Sequence, residues 1–246
     1  MLHAIARKKS RAYTRYLSVQ PPDEPRISAE DEITSIIFGP LEFLSAPDNW
    51  TLWQRVLQGG ASMDVSGPLP PDYFSDFSPD ACVFEFWPRK DMIEPDLVIR
   101  FSNHLGETRS LLVELKWNAP LSGADQLDKQ WLRYQHGEHA NSLHVFLAKE
   151  VRGRPEDRRP WTCVDSDGAA ASRLRGVHWH AFQYALRRLA AAPDTSAPLR
   201  RWCGLAGGFL AQVGIRSFAG FQDAVKLAAT IPDGDHDIVQ FWKGSV

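Results

Sequence analysis

The chain is poor in cysteine, with three in 246 residues at Cys82, Cys163 and Cys203. They are odd in number, far apart in the sequence, and none has a partner at the short spacing of a zinc-binding motif. A disulfide framework or a structural zinc site is therefore not expected to organise the fold. Buried thiols in a reducing compartment are the expectation that remains.

Long apolar runs are absent as well. No stretch approaches the roughly 20 apolar residues that a membrane-spanning helix needs, and the first residues lack the apolar segment of a signal peptide. The sequence therefore predicts a cytoplasmic protein with no membrane association. It also contains no internal repeat and no low-complexity tract.

The chain has nearly equal numbers of positively and negatively charged residues. Lys and Arg number 28 and Asp and Glu number 30, which gives a formal net charge of −2. No overall positive field attracts nucleic acid, so any such contact must come from local basic patches.

What the chain does contain is enough apolar material for a large core. Hydrophobic residues make up 43% of it, including nine Trp and thirteen Phe. The composition along the chain predicts a basic arm and proline linker at 1–27, a core domain at 28–192, and a helical C-terminal extension packed on the core at 193–246.

Hydrophobic periodicity predicts an alternation of helices and strands. Ser28 is a candidate N-cap for the first helix, and Gly39 and Pro40 end it. Helices are predicted at 28–38, within 41–65 with an end at Gly59 and Gly60, and at 123–135. Strands are predicted at 81–87, 96–101, 111–117 and 143–148, followed by a strand leading into a helix at 177–191 and two helical patterns at 199–229.

Two of these apolar strands contain the charged residues Asp96, Glu114 and Lys116, and charge there is costly unless it is paired or bound to a metal. Side chains alternate along a strand, so Glu114 and Lys116 share one face while Leu115 points to the other. If the two strands pair, Asp96 lies close to Glu114. Two carboxylates, with the Leu115 carbonyl as a further ligand, suit a hard cation such as Mg²⁺. Lys116 would then act on the attacking water or stabilise the charge that develops on a phosphate.

These residues resemble the signature of a known nuclease superfamily. Glu94-Pro95-Asp96 is followed after seventeen residues by Glu114-Leu115-Lys116. The pattern is similar to that of the PD-(D/E)XK nucleases, which have the restriction-endonuclease-like fold. Gln130 and Tyr134, on the helix after the lysine, resemble the Gln-x-x-x-Tyr element of the RecB-like branch, which positions the active site and the nucleic-acid backbone.

The resemblance also implies an acid on an N-terminal helix and a particular fold. Glu30 is the best match for the acid, with Glu32 second. The implied fold is α/β, with an αβββαβ core, a mixed central sheet flanked by helices and a helical C-terminal extension. The resemblance covers about residues 28–150, and the last hundred residues resemble no family that we can name.

The function implied by the resemblance is Mg²⁺-dependent hydrolysis of phosphodiester bonds, with Mn²⁺ able to substitute. The metal would be held by Asp96 and Glu114 with the help of Glu30, and Lys116 would act on the attacking water. DNA is favoured over RNA as the substrate. A role in bacterial defence or DNA processing is an association of the superfamily. Whether cleavage is endo- or exonucleolytic, and whether the chain works with a protein partner or as a homodimer, stays open.

A nucleic-acid substrate requires a basic surface to contact its backbone. The candidates are arginines on the helix after the lysine and in the segments that follow the fourth strand. They are Arg133, Arg152, Arg154, Arg158, Arg159, Arg173 and Arg175.

Two alternatives accompany the nuclease prediction. The near-neutral charge and the unassigned C-terminal region are compatible with a nuclease-like module that binds nucleic acid, or assembles a larger complex, without cleaving. Glu114 and Lys116 would also make an ordinary same-face ion pair on a strand. A complete set of two acids and a lysine favours catalysis, because a purely structural role does not require it.

Overall fold

The computed structural model of the chain describes residues 29–59, 69, 73–117, 125–134, 141–149 and 173–216. Several predictions lie outside the described residues. They are the arm and linker at 1–27, the Ser28 cap, the second C-terminal helical pattern, and Arg152, Arg154, Arg158 and Arg159.

Helices and strands follow one another as the periodicity predicts, with small shifts at their ends. The predicted second helix begins as a separate 3₁₀ turn, Gly39–Phe43, because Pro40 stands at its start. The elements are α1 (Ala29–Phe38), α2 (Ala46–Gly59), β1 (Ala81–Phe86), β2 (Leu97–Ser102), β3 (Thr108–Lys116), α3 (Gln126–Tyr134), β4 (Ser142–Ala148), β5 (Leu174–His178), α4 (Trp179–Ala191) and α5 (Ala197–Gln212).

The strands form one mixed sheet in the order β1-β2-β3-β4-β5. β1, β2 and β3 are antiparallel neighbours, whereas β3, β4 and β5 are parallel. Parallel neighbours need a crossover connection, and α3 lies in the one between β3 and β4. The predicted α/β architecture, a mixed central sheet flanked by helices, is confirmed. β3 is the central strand, and its residues from Ser110 to Leu115 are buried.

One face of the sheet is covered by helices that share an aromatic core. Phe38 of α1 stacks on Trp53 of α2, with ring centroids 5.9 Å apart, and lies 5.7 Å from Phe182 of α4. All three side chains are fully buried. Burial of such large rings stabilises each helix by several kcal/mol, on the order of 2–3 per ring. This packing fixes α1 at the end of the central strand.

The opposite face carries α3. Trp131 of α3 is fully buried and stacks on His144 of β4, with centroids 6.1 Å apart. Burial lowers the pKa of His144 to about 3, so this ring is neutral and acts as part of the packing. Side chains alternate along β3, and the register pairs Leu112 with His144. Glu114, two residues on, therefore faces α3.

The described part of the predicted C-terminal extension packs on the core. Trp202 of α5 is buried and donates its indole N–H to the Ile37 carbonyl of α1, 3.2 Å away. Ser196 caps the start of α5 by accepting from the Leu199 N–H. None of the helices in the described ranges is long and apolar enough to cross a membrane.

Candidate functional site

Two buried carboxylates lie side by side at one end of the paired strands β2 and β3. The β2–β3 register pairs Leu97 with Val113, so Asp96, just before β2, comes next to Glu114 on β3. Asp96 is 7% exposed and Glu114 is 2% exposed. The Leu115 N–H donates to Oδ2 of Asp96 at 2.8 Å and fixes that carboxylate against the strand.

Lys116 joins these carboxylates to a third one. Its Nζ lies 2.7 Å from Oε1 of Glu114 and 2.9 Å from Oε1 of Glu30. The second oxygen of Glu30 accepts from the Trp117 N–H at 3.0 Å. Of the two candidate acids on α1, Glu30 is the one that contacts the lysine. The structure therefore brings together all four charged residues that the sequence singled out.

Two glutamines of α3 hold the Glu114 carboxylate from the other side. Gln126 Nε2 donates to Oε1 at 2.6 Å, and Gln130 Nε2 donates to Oε2 at 2.7 Å. The residues are four apart and so project from one face of the helix. Gln130 was a predicted site residue and Gln126 was not, although its i, i+4 spacing from Gln130 was a usable signal.

Tyr134 anchors the connection between β1 and β2. Its hydroxyl lies 2.6 Å from the Pro88 carbonyl oxygen and 3.0 Å from that of Ile93, so its proton is shared between them. Burial raises the pKa of Tyr134, which keeps the hydroxyl protonated and able to donate. Its predicted contact with a phosphate or with the lysine stays a prediction.

The end of β3 is held by residues that the sequence did not identify. The Trp179 indole N–H donates to the Lys116 carbonyl at 3.0 Å, and its ring meets Trp117 edge-on at 5.2 Å. Lys149, just after β4, places its Nζ 4.2 Å from the Trp117 ring centroid. These contacts join residues far apart in sequence, so local patterns contain no signal for them.

The site holds more negative charge than positive. If ionised, the carboxylates of Glu30, Asp96 and Glu114 oppose the single ammonium of Lys116, which leaves a formal excess of two negative charges. Burial, and then the neighbouring Glu114, raise the pKa of Asp96 well above its usual range. Burial likewise raises the pKa of Glu114, although Lys116 opposes the shift. A divalent cation would offset this excess.

Lys116 stays protonated in this environment. Burial alone lowers the pKa of its ammonium, but the charges of Glu114 and Asp96 outweigh burial and raise the pKa above its usual value. A lysine that is protonated at neutral pH can stabilise negative charge or donate a proton. It cannot accept one.

Three of the predicted arginines are described, and the structure corrects the interpretation of one. Arg175 is 8% exposed, lies on the core face of the sheet and donates to the Leu57 carbonyl at 2.9 Å. It therefore supports α2 and does not form a basic surface. Arg173 precedes the first residue of β5, whereas Lys116 is the last residue of β3, so the two residues lie at opposite ends of the parallel strands. Arg133 is exposed and forms an ion pair with Asp91.

Comparisons with known proteins gave no relative for this chain. No family model matches it, and neither the curated proteins nor the solved structures contain a match.

The oxygen ligands that the site offers determine which metal ion it could bind. Within the described ranges, no three His, Cys, Asp or Glu side chains form a group that could hold a metal ion. A cation here would rely on the carboxylates of Asp96 and Glu114, a backbone carbonyl such as that of Leu115, and water. Mg²⁺ prefers oxygen ligands and usually keeps several waters, so this donor set fits it.

The raised pKa of Asp96 predicts how the stability of the metal-free protein depends on pH. An unfolded Asp has a pKa of about 3.9. Between about pH 4 and the raised pKa, the folded protein holds a proton that the unfolded chain has released, so the free energy of unfolding falls as pH rises. We expect Asp96→Asn to reduce this slope, to which the raised pKa of Glu114 also contributes.

Urea unfolding in EDTA between pH 5 and pH 8 measures the effect. The stability of Asp96→Asn relative to the unmodified protein should increase with pH. Asp194→Asn is the matched control, because that residue is exposed and its removal should give a nearly constant difference. A constant difference for Asp96→Asn as well would contradict the prediction.

Proposed function

We propose that this protein is a divalent-metal-dependent nuclease of the PD-(D/E)XK type, acting on DNA. One observation carries the proposal. Two buried carboxylates, Asp96 and Glu114, lie side by side at one end of β2 and β3, and the ammonium of Lys116 contacts one of them. The order α, three β, α, β, from α2 to β4, supports a restriction-endonuclease-like core. Buried like charges destabilise a fold, so their presence indicates a ligand of opposite charge.

Asp96 and Glu114, with the Leu115 carbonyl, would hold Mg²⁺ or Mn²⁺. The cation, when bound, supplies Lewis-acid stabilisation of the negative charge that develops on the phosphodiester oxygens. Gln126 and Gln130 position Glu114 through both of its oxygens. Because these amides donate to the ionised carboxylate, they favour the form that binds a cation.

Lys116 and Glu30 form the second half of the proposed machinery. Glu30 orients the Lys116 ammonium through a contact of 2.9 Å, and the Trp117 N–H orients Glu30 in turn. The protonated lysine stabilises negative charge on the reacting phosphate, one of the two roles expected from the sequence. Its protonation makes it unsuited to act as the base for the attacking water.

A metal titration tests the proposal. Plasmid DNA, single-stranded DNA and single-stranded RNA are incubated with the protein and increasing Mg²⁺ or Mn²⁺, with EDTA as the control. We expect cleavage of DNA that saturates with the metal concentration and is absent in EDTA. Nicking of closed circular plasmid would show endonucleolytic action.

Mg²⁺ should also raise the melting temperature of the protein at neutral pH. Binding to the folded state alone stabilises it by about 2.7 kcal/mol at a metal concentration 100 times the dissociation constant. The Asp96→Asn variant should show a much smaller shift. Binding of DNA without cleavage under any of these conditions would favour the non-catalytic alternative.

A further inference from the structure

The connection between β1 and β2 folds into a tight hairpin turn at 90–93. The Lys90 N–H donates to the Ile93 carbonyl at 3.0 Å, and the Ile93 N–H donates to the Lys90 carbonyl at 2.9 Å. The two residues between them, Asp91 and Met92, have φ angles of 46° and 67°. Two consecutive positive φ angles are the pattern of a type I′ turn.

Met92 is an unfavourable residue for this position. Gly, Asn and Asp dominate such turns, because a larger side chain at positive φ costs roughly 1–2 kcal/mol. Met92 is 79% exposed, so burial of its side chain does not offset that cost. Backbone strain under an exposed apolar side chain is the basis for the hypothesis that Met92 contacts another molecule.

The turn is fastened to α3 and so is presented rigidly. Besides the hydrogen bonds of the Tyr134 hydroxyl to carbonyls at both ends of the turn, the Lys90 Nζ lies 4.8 Å from the centroid of the Tyr134 ring. Arg133 pairs with Asp91 at the tip. Three kinds of contact therefore hold one short turn against the end of one helix.

The same helix fixes the turn relative to the catalytic carboxylates. Gln130 holds Glu114, and Tyr134, four residues later, holds the turn. Four residues of α-helix rise about 6 Å, and phosphates along one DNA strand advance about 3.4 Å per nucleotide. The two α3 side chains that hold the turn and Glu114 are thus separated along the helix axis by about the length of two nucleotides.

Cationic side chains accompany the methionine at the tip. Arg89 and Lys90 are both exposed. The Arg89 guanidinium nitrogen Nη2 lies 3.1 Å from the Met92 sulfur. The tip thus combines an apolar group suited to a base or sugar with cations suited to the flanking phosphates.

We propose that the 89–92 tip is a nucleic-acid contact of this protein, with Met92 packed against a base or sugar a few nucleotides from the scissile phosphate. Arg89 and Lys90 contact the phosphates beside it. The inference rests on the proposed function and deepens it, because it names the element that holds the strand beside the reaction centre.

Binding of fluorescently labelled duplex and single-stranded DNA tests the inference, with Ca²⁺ in place of Mg²⁺ to suppress cleavage. We expect Met92→Ser to weaken binding about three- to tenfold, a loss of the size expected for one apolar contact. Met92→Leu should bind like the unmodified protein. Leu105→Ser is the matched control. Leu105 is 70% exposed in the turn between β2 and β3, which lies at the opposite end of these strands from the 89–92 tip.

Two further measurements separate recognition from folding. Met92→Gly relieves the strain at positive φ, so it should bind weakly while melting at the same or a higher temperature. Arg89→Ala should reduce the slope of log affinity against log salt concentration by about one.

The outcomes distinguish the two proposals. If the unmodified protein cleaves DNA, but Met92→Ser, Met92→Gly and Arg89→Ala all bind like it, the tip is not a contact and the nuclease proposal stands. If the unmodified protein neither cleaves nor binds nucleic acid, the proposed function is wrong and the inference about the tip is wrong with it.

Discussion

Asp96→Asn should reduce Mg²⁺-dependent cleavage at least about 1000-fold, which corresponds to about 4 kcal/mol of lost transition-state stabilisation. The amide has nearly the same shape as the carboxylate and keeps an oxygen to accept from the Leu115 N–H. It lacks the negative charge that a hard cation requires. The substitution therefore separates the charge of Asp96 from its packing.

Cleavage rates at saturating Mg²⁺ and thermal melting in EDTA are measured on the same preparations. The variant should melt at or above the temperature of the unmodified protein, because burial opposes ionisation of Asp96. Asp80→Asn controls for the exchange of Asp for Asn at an exposed position and should leave cleavage unchanged. Full activity in Asp96→Asn would overturn the assignment of this carboxylate.

Lys116→Met should impair both activity and stability. We expect a loss of cleavage of about 100- to 1000-fold, as for removal of a preorganised charge that stabilises a transition state. The free energy of unfolding should fall by about 3–5 kcal/mol, because the change leaves Glu114, 2% exposed, without its cation. The contrast between the two variants is informative. Asp96→Asn removes a carboxylate from a site with excess negative charge, whereas Lys116→Met removes the cation and increases that excess.

Urea unfolding at neutral pH in EDTA measures the second effect. Lys129→Met is the matched control: Lys129 forms an exposed i, i+4 ion pair with Asp125, and its loss should cost no more than about 0.5 kcal/mol. Adding Glu114→Gln to Lys116→Met should restore part of the stability, because the buried carboxylate is then neutral. An unchanged stability in Lys116→Met would show that the network does not depend on the lysine.

The α3 helix has more roles than the sequence suggested. It covers one face of the sheet with Trp131, holds Glu114 with Gln126 and Gln130, and fastens the 90–93 turn through Tyr134. A helix that contacts both the proposed reaction centre and the proposed substrate-binding turn sets the distance between them. Changes in its packing should therefore affect cleavage and binding together.

Local sequence patterns predicted the strands, the order of the elements and the principal charged residues of the site. Alternation of side chains along a strand is a local property, so it placed Glu114 and Lys116 on one face before any tertiary contact was known. Charge inside apolar strands is costly, and this cost marked Asp96, Glu114 and Lys116. The i, i+4 spacing of Gln130 and Tyr134 was equally local.

The arrangement of those residues depends on contacts that form only in the folded chain. Asp96 lies beside Glu114 because of the β2–β3 register, and Glu30 reaches Lys116 because the aromatic core holds α1 at the end of β3. Burial of Arg175 could not be foreseen, since nothing local indicates that its guanidinium meets the Leu57 carbonyl 118 residues away. The protonation of Lys116 likewise follows from charges that the fold assembles. Local geometry can be inferred from neighbouring residues, whereas register, burial and electrostatics depend on contacts between distant ones.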